Sequence, residues 1–378
     1  MQSISRRQFV ISAAAAGAAF GLDGPLAFIQ PAGAQKAPPT NPIGAPQALY
    51  DKGFAKFKVG DIEVTQLFDG IAPRAHDPNF IKNATVDETK AAQRAVGLSD
   101  ENIVNSYTVT VVKLKGKTIL FDSGTGAQLQ PTAGLIVKND LMKKAGIDPA
   151  KISTIIVTHF HADHVSGLMA KDTNAQIYPN AEIIVPASEY KYWTNPAITA
   201  GAAKRIQAVF PGWKNIRQYE GDKEVVPGVK PINTNGHSPG HMSYVLGSGR
   251  NQLIVLGDVA IMPYFFVRNP GWHVAFDADA NLAEQNRRKI FDRAVADKAI
   301  VTGYHFGMPG AATIKKDGKG YAYVPVRTGI GRRVTSAALL GARPLLAALF
   351  LLAGRHLRYK ASFRPTIRIL GRHIRRDR

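Results

Sequence analysis

Hydrophobic and polar positions alternate in short blocks along the middle of the chain, and the blocks switch between the periods typical of strands and helices. Strand patterns with a turn residue pair between them lie at 57–68 and at 106–121. A short β-branched run at 155–157 is typical of a buried strand, and a last short strand is predicted at 299–302. Helical spacing is predicted for residues 135–145, 186–193, 200–209 and 281–295. Strands that alternate with helices indicate an α/β layered fold.

The hairpin pattern occurs twice. In the first copy, Tyr107 opens a hairpin that ends at Asp122, 15 residues later. In the second copy, Tyr244 opens a hairpin that ends at Asp258, 14 residues later. This weak internal repeat predicts two similar β-rich halves, each with an aspartate at the end of a strand.

Four potential metal ligands lie within six residues, directly after the buried strand. Residues two apart in extended backbone face the same side, so His159 and His161 can share one metal ion. Asp163 and His164 follow where the chain turns towards a helix predicted to begin near Val165, which allows them to reach a second ion. A surface histidine cluster without metal is the alternative, but four ligands so close together favour a metal site. Imidazole and carboxylate suit zinc, with iron and manganese as alternatives.

Three further candidate ligands lie at the ends of predicted strands. His237 lies in a Gly-His-Ser-Pro-Gly-His turn, and His305 follows the strand at 299–302. Asp258 follows the apolar run Leu-Ile-Val-Leu and a glycine. A carboxylate at the end of a buried strand needs a compensating positive charge, and a position between two cations supplies it.

Together, the His-x-His-x-Asp-His cluster, the Gly-His-Ser-Pro-Gly-His turn, the Gly-Asp pair and the late histidine resemble the metallo-β-lactamase superfamily, over residues 57–326. The resemblance implies that superfamily's four-layer αβ/βα sandwich. It also implies that a hydroxide bridging two divalent ions attacks an ester-like bond, while Asp163 passes a proton to the leaving group. Zn²⁺ is the metal ion expected first. The implied ligands are His159, His161 and His237 for the first metal, Asp163, His164 and His305 for the second, and Asp258 as the bridge.

Two further residues are expected to support ligands. Asp122 lies in an Asp-Ser-Gly sequence that is similar to the family's Asp-Thr-Gly turn, and we expect it to orient a ligand histidine; capping of the turn is the alternative. The family's ligand is the first histidine of the glycine-rich turn, so His241, the second, is placed behind the ligands. His76 and His273 lie outside every motif and are predicted to be surface or loop residues.

The absence of cysteine excludes the thiolate-using β-lactamases of this fold. Segments at 60–65, 227–230 and 318–326 resemble exported methyl parathion hydrolase-like proteins and related lactonases, which cleave aryl esters, lactones or organophosphate triesters. A thioester hydrolase of the hydroxyacyl-glutathione type shares the ligand set and stays an alternative, although no basic glutathione clamp is visible. Small-molecule cleavage in an apolar pocket is therefore predicted. Four residues are expected to line that pocket, with plain core packing as the equal alternative: Phe68, Leu129, Trp193 and Ile261.

The net charge of +20 lies mainly at the C-terminus. Residues 327–378 contain 13 Lys/Arg and one Asp and contribute +12, and residues 1–34 contribute +1, which leaves +7 for residues 35–326. The mildly basic body argues against nucleic acid as a partner. The segment 1–34, with paired arginines, an Ala/Gly-rich stretch and a small-residue cleavage site, resembles a twin-arginine (Tat) export signal; an uncleaved anchor helix is the alternative. We therefore expect a catalytic domain at 35–326 in the periplasm or outside the cell.

The basic extension at 327–378 departs from the family pattern. Its apolar part, 334–354, is interrupted by Arg343-Pro344, which makes a membrane span costly. An amphipathic helix on anionic lipid and an out-of-frame extension of GC-rich coding sequence stay open. A non-catalytic, metal-binding exported protein anchored by this extension is the alternative from a different functional class. The sequence does not determine the oligomeric state, and a homodimer is one option.

Overall fold

Residues 47–328 are described by the computed structural model, and their backbone forms two β-sheets with helices packed against them. The predicted export signal at 1–34 and residues 329–378 of the basic extension lie outside the described residues. Within the described part of the chain, no helix combines the length and the hydrophobicity that crossing a membrane requires.

The first sheet contains seven strands in sequence order. Its first three strand pairs are antiparallel, and the last three, from β4 to β7, are parallel. The strands are β1 (Phe54–Val59), β2 (Ile62–Arg74), β3 (Ile103–Leu114), β4 (Lys117–Phe121), β5 (Thr154–Ile156), β6 (Glu182–Pro186) and β7 (Ile216–Tyr219).

The second sheet contains six strands in the spatial order β13-β12-β11-β10-β9-β8. All neighbours are antiparallel except β10 and β11, which are parallel. The strands are β8 (Val229–Asn233), β9 (Met242–Ser248), β10 (Asn251–Val255), β11 (Ile300–Thr302), β12 (Ala311–Asp317) and β13 (Gly320–Pro325).

The helices connect these strands. They are α1 (Gln47–Lys52), α2 (Val86–Arg94), α3 (Leu135–Lys138), α4 (Leu141–Lys144), α5 (Ala162–Val165), α6 (Ala187–Trp193), α7 (Ala203–Val209), α8 (Pro263–Phe266) and α9 (Ala280–Asp297). Short 3₁₀ turns lie at Pro149–Lys151, Ser166–Leu168 and Phe210–Gly212.

Alternation of side chains along the buried strands produces the layers. Ile156 on β5 and Leu253 on β10 belong to one hydrophobic cluster, which therefore lies between the two sheets. Their neighbours face outward: Ile155 packs in a second cluster with residues of α4 and α7, and Ile254 packs in a third with Phe291 of α9. Because successive residues of a strand point to opposite faces, each central strand contributes to two clusters. The arrangement confirms the predicted αβ/βα four-layer sandwich.

The predicted repeat is visible in the sheet topology. The antiparallel pair β3 and β4 is followed by β5, which is parallel to β4. The antiparallel pair β9 and β10 is likewise followed by β11, which is parallel to β10. Each half thus contains two neighbouring parallel strands that follow an antiparallel hairpin, and the C-terminal ends of these two strands lie at the same edge of their sheet.

Two helix predictions were wrong in detail. The helix predicted for 135–145 is two short helices, because Asp140 adopts a left-handed backbone conformation (φ 50°) between them. Asparagine and aspartate tolerate this conformation better than other non-glycine residues, and the sequence has Asn139-Asp140 at the break. The helix predicted to begin near Val165 begins at Ala162, so Asp163 and His164 are helical rather than in a turn.

Candidate metal centre

The candidate ligands and Asp122 follow the C-terminal ends of strands. Asp122 follows β4, the segment from His159 to His164 follows β5, Asp258 follows β10 and His305 follows β11. His237 lies in the loop between β8 and β9. The parallel arrangement of β4 with β5 and of β10 with β11 explains why residues far apart in sequence meet here.

Three imidazoles form the first group of donor atoms. Nε2 of His159 lies 3.0 Å from Nδ1 of His161, and Nε2 of His237 lies 3.1 Å from the same atom. Ligand atoms on a tetrahedral zinc ion, with bonds of about 2.0 Å, are about 3.3 Å apart. The three nitrogens therefore have nearly the spacing that a shared ion requires, and their donor atoms all lie within 4.8 Å of one another.

The second group combines a carboxylate with two imidazoles. Oδ2 of Asp163 lies 3.6 Å from Nε2 of His164 and 3.4 Å from Nε2 of His305. These three donor atoms also lie within 4.8 Å of one another. Asp163 is the more accessible member, with 19% of its side chain exposed, whereas both histidines are buried.

Asp258 lies between the two groups. Its Oδ2 is 3.4 Å from Nε2 of His237 and 2.8 Å from Nε2 of His305, and its Oδ1 is 3.4 Å from Nε2 of His164. One carboxylate therefore contacts histidines of both groups. Gly257 allows this approach, because it has φ 58° and a Cβ there would lie 2.6 Å from Nε2 of His241.

Two buried polar atoms of this cluster have no hydrogen-bond partner among the described residues: Nε2 of His164 and Oδ1 of Asp258. A buried donor or acceptor left unpaired costs about 1–3 kcal/mol. Both atoms are metal-ligand types and both face the cluster, so a bound cation would satisfy them. The residues present thus fit divalent metal ions.

The other ring nitrogen of four of the histidines is already hydrogen-bonded. Nδ1 of His237 contacts Oδ1 of Asp277 at 2.9 Å, and Nδ1 of His164 contacts Oδ2 of Asp122 at 2.9 Å. His305 uses Nδ1 for the carbonyl of Ser106, and His159 uses Nδ1 for the hydroxyl of Thr158. Because Nδ1 is the donor in each case, Nε2 is the nitrogen that faces the cluster and can bind a metal when it is unprotonated.

Asp122 is saturated with donors. Besides the His164 ring, it accepts hydrogen bonds from the backbone N–H of Thr158 at 2.8 Å and from the Thr158 hydroxyl at 2.9 Å. It therefore fixes the ring of His164 and the start of the ligand segment together. Tyr304 adds a second support, because its ring lies 3.8 Å from the ring of His164 and its hydroxyl donates to the carbonyl of Asp163.

His241 lies behind the cluster. Its Nε2 accepts the backbone N–H of Asp258 at 2.8 Å, so the lone pair of this nitrogen is not available to a metal. Its Nδ1 contacts Thr234. Burial lowers the pKa of His241 to about 3, which keeps the ring neutral and able to accept that hydrogen bond.

The two groups differ in charge when no metal is bound. Burial, followed by the neighbouring histidines, lowers the pKa of His159 and of His161 well below the usual value. Burial acts in the same direction on His164 and His305, but the surrounding carboxylates, Asp258 first among them, together outweigh it and raise the pKa of both. Burial opposes ionisation of Asp258, yet His305 and His164 hold its pKa well below the usual range.

The four predicted pocket residues lie in different surroundings. Trp193 is beside the first group, with its ring at 90° to the His161 ring and 5.7 Å away. Leu129 is on the surface, with 37% of it exposed. Phe68 and Ile261 are buried in hydrophobic clusters, and Trp193 belongs to a third. His76 and His273 are partly buried and lie outside the candidate metal groups of the described residues.

Sequence reasoning missed two buried carboxylates near the first group. Asp277 holds His237 and also faces the buried guanidinium of Arg287 at 3.4 Å. Glu189 on α6 is fully buried and contacts the segments that carry His161 and His237. Neither lies in a histidine-rich motif. For Glu189, the only available signal was a charged residue within the aromatic stretch around Trp193.

A family model described as the metallo-beta-lactamase superfamily matches residues 100–303, just over half of the chain. The matched range contains all the candidate ligands except His305, which lies two residues beyond it. The chain is 33% identical to an N-acyl homoserine lactonase of Bacillus cereus over 162 residues, which cover 43% of this chain and 58% of that protein. It is 29% identical to the N-acyl homoserine lactonase AttM of Agrobacterium fabrum, over 44% of this chain and 62% of that protein. The chain therefore spans about three fifths of the length of these relatives.

Two solved structures are similar over most of their length. AidC, a dizinc quorum-quenching lactonase in complex with a product, has a TM-score of 0.66 and 25% identity, covering 73% of this chain and 98% of that chain. The hydrolase AbOPH of the beta lactamase superfamily gives the same values. A probable metal-dependent hydrolase from Staphylococcus aureus, at 19% identity and a TM-score of 0.56, shares the fold.

Proposed function

Because the chain belongs to the metallo-beta-lactamase superfamily, we propose that it is an exported hydrolase that uses two divalent metal ions to cleave ester bonds in small molecules, with lactones as the first substrate class. The observation that carries the proposal is the convergence of seven donor side chains, two of which have an unpaired buried atom. A structural zinc site is closed by four ligands, whereas two adjoining groups that share a carboxylate are typical of a catalytic pair.

The first ion would be held by His159, His161 and His237, and the second by the group containing Asp163 and His305, together with His164 and the shared Asp258. Zinc suits this set of imidazoles and carboxylates, and the similar lactonase AidC is described as a dizinc enzyme. When bound, two such cations supply Lewis acidity, which lowers the pKa of water and polarises the scissile carbonyl.

Asp163 is the group we assign to proton transfer. Hydrolysis of an ester forms a carboxylic acid and an alcohol, so the leaving oxygen must gain a proton. Asp163 is the carboxylate of the cluster that is partly exposed, whereas Asp258 is buried between histidines. The hydroxyl of Tyr304 holds the backbone carbonyl of Asp163, which limits the movement of this segment.

The substrate proposal rests on the relatives and on the surroundings of the first group. Curated relatives that cover part of this chain are N-acyl homoserine lactonases. Trp193, which is 6% exposed, packs its ring at 90° to that of His161 and makes the surroundings of the first group apolar, which suits the acyl part of such a substrate. Aryl esters, phosphotriesters and glutathione thioesters have the same kind of electrophilic centre and are the competing classes.

The full chain, purified with its metals, should be tested on an N-acyl homoserine lactone, phenyl acetate, a dialkyl aryl phosphotriester, an acyl-glutathione and nitrocefin. We expect the lactone to have the highest kcat/KM and nitrocefin the lowest. His161→Ala should abolish turnover, whereas the matched control His273→Ala, on a histidine paired with Glu284, should not. A better rate with nitrocefin than with the lactone would refute the substrate class. Turnover by His161→Ala at the wild-type rate would refute the site.

The role of Asp163 can be separated from metal binding through the leaving group. Asp163→Asn should lower kcat at least about tenfold more for an alkyl ester than for a phenyl ester, because phenolate leaves with less need of a proton. Loss of metal alone would reduce both rates by the same factor. Equal factors would therefore exclude proton transfer by Asp163.

Export is proposed from residues 1–34. A double Arg6→Lys, Arg7→Lys variant should accumulate inside the cell with its signal uncleaved, because the paired arginines are the element that a twin-arginine exporter recognises. Fractionation and immunoblotting give the measurement. Equal periplasmic amounts of the wild type and the double variant would contradict export through a twin-arginine signal.

A further inference from the structure

The carboxylate of Glu189, on α6, is fully buried and accepts four hydrogen bonds. Their donors belong to three separate segments. They are the backbone N–H of Phe160 at 2.9 Å, the indole N–H of Trp193 at 2.6 Å, the hydroxyl of Ser238 at 2.8 Å and the backbone N–H of Gly240 at 2.8 Å.

The two oxygens divide these donors between the halves of the fold. Oε1 accepts from Phe160, which lies between His159 and His161, and from Trp193, whose ring contacts the ring of His161. Oε2 accepts from the turn that carries His237 and His241. A single carboxylate thus joins a loop of the first sheet to a loop of the second, and each loop supplies ligands of the same group.

No lysine, arginine or histidine of the described residues forms an ion pair with Glu189. A buried carboxylate without a cation costs several kcal/mol unless hydrogen-bond donors surround it. Moving any one of the four donors would leave the buried carboxylate with fewer hydrogen bonds, which is costly. The carboxylate therefore holds all four donors in place.

Close packing adds to this constraint. A Cβ on Gly240 would lie 2.3 Å from the backbone nitrogen of Glu189, so the turn and the helix approach as closely as glycine permits. This contact gives a reason for the second glycine of the Gly-His-Ser-Pro-Gly-His sequence, which the metal ligands alone do not explain.

We propose that Glu189 is a positioning residue for the first metal group, and that it sets the separation between His161 and His237. The inference rests on the proposed function, in that it requires this group to bind a metal ion. The 3.1 Å distance between Nδ1 of His161 and Nε2 of His237 spans the two sheets, and the carboxylate of Glu189 bonds directly to both segments that carry these rings.

The second group does not depend on Glu189. His164 is held by Asp122, and His305 by the carbonyl of Ser106. Loss of the Glu189 carboxylate should therefore act on one metal and leave the other in place. A merely structural role would instead lower the stability of the protein and affect both metals alike.

The test compares Glu189→Gln with Asp122→Asn in the full chain. Zinc affinities at the two sites are measured by competition with a chromophoric chelator, and cobalt spectra show which site is filled. His161→Ala and His305→Ala provide reference spectra for loss of the first and the second site. Removing a hydrogen-bond partner behind metal ligands lowers metal affinity by about 10–100-fold. We expect this loss at the first site in Glu189→Gln and at the second site in Asp122→Asn.

If Glu189→Gln does not fold, two milder variants remove one donor each. Ser238→Ala relieves Oε2 of one hydrogen bond, and Trp193→Phe removes the indole N–H while keeping an aromatic ring. Each should weaken the first site selectively, by a smaller factor than Glu189→Gln. Unchanged first-site affinity in the folded variants, or equal losses at both sites, would overturn the proposal. A wild-type protein that binds no metal would instead refute the proposed function.

Discussion

The two candidate metal groups share Asp258 and lie side by side, yet they are prepared for a cation in opposite ways. In the first group, burial and mutual repulsion keep the pKa of His159 and of His161 low, so both rings are neutral. In the second, Asp258 raises the pKa of His164 and of His305 against the effect of burial. His159 and His161 are thus open to a cation at neutral pH, whereas the second group favours protons where a cation would lie.

The two groups also differ in the residues that hold their histidines in place. His237 is held by Asp277, itself facing the buried Arg287, and Glu189 links the two loops of the first group. The second group is held by Asp122 and by the backbone carbonyl of Ser106. Both groups thus depend on contacts between segments that are distant in sequence, and the first differs in that one carboxylate, Glu189, bonds to both of its loops.

The largest effect is expected for Asp258→Ala, because this residue contacts histidines of both groups. We expect metal content to fall from about two ions to at most one, and kcat/KM to fall at least about a thousandfold, since metal ions contribute several kcal/mol to such reactions. Metal analysis and lactone kinetics provide the measurement, with the surface variant Asp317→Ala as control. Full activity in Asp258→Ala would show that the groups are independent.

A smaller but asymmetric effect is expected for Asp277→Asn. The substitution weakens the hold on His237 and leaves the guanidinium of Arg287, which is buried, without its carboxylate. Breaking a buried ion pair from one side costs about 3–5 kcal/mol, and three backbone carbonyls that also bind Arg287 should reduce this to about 2–3 kcal/mol. Urea unfolding should show this loss in free energy, whereas Asp279→Asn, which keeps a capping side chain at an exposed helix start, should lose almost nothing. Equal losses of unfolding free energy in the two variants would show that the ion pair between Asp277 and Arg287 does not stabilise the protein.

The charge difference predicts different pH dependences of metal binding. Ligand histidines bind metal only when neutral, so a metal at the second group must displace protons from His164 and His305, whereas His159 and His161 of the first group have none to displace near neutrality. Between pH 8 and pH 6, zinc affinity should fall by up to about tenfold per unit for each displaced proton at the second site, and fall less steeply at the first. Chelator competition at several pH values measures both. Parallel slopes for the two sites would contradict the charge assignment.

The same shifts have opposite signs for the stability of the metal-free protein. Raised pKa values, as at His164 and His305, contribute stability that is present below the unfolded value of about 6.5 and is lost as pH rises through the folded value. Lowered values, as at His159 and His161, contribute stability above about 6.5 that is lost as pH falls. The Tm of the chelator-treated protein should therefore be highest near neutral pH and fall on both sides. A Tm that rises steadily with pH would exclude the loss of stability at high pH that the raised pKa values of His164 and His305 predict.

The limits of sequence reasoning are visible in Asp122 and Asp258, which end equivalent strands of the two halves. Motif spacing predicted both positions, because hairpins and buried β-branched runs have strong local patterns. Their hydrogen bonds differ only in three dimensions: both oxygens of Asp122 accept donors, whereas Oδ1 of Asp258 has none among the described residues. Glu189 and Asp277 were missed for the same reason, since their partners are 29 to 51 residues away in sequence. The break at Asp140 depends on one backbone angle, which helical spacing does not report.

The smallest effect is expected for Tyr304→Phe, which tests the support that Tyr304 gives to the second group. The variant keeps the ring that stacks on His164 and removes only the hydroxyl that donates to the carbonyl of Asp163. Loss of one buried neutral hydrogen bond costs about 1 kcal/mol, because the partner carbonyl can turn towards water beside the partly exposed Asp163 side chain. We expect the rate with an alkyl ester to fall about threefold to fivefold, and second-site zinc affinity to stay within about threefold. Tyr264→Phe, which removes a similar hydroxyl bond to the carbonyl of Val104 away from the ligands, is the matched control and should lose stability without losing rate. If both variants lost the same activity, the hydroxyl of Tyr304 would be a general stabilising contact, and the second group would depend on Asp122 and Ser106 alone.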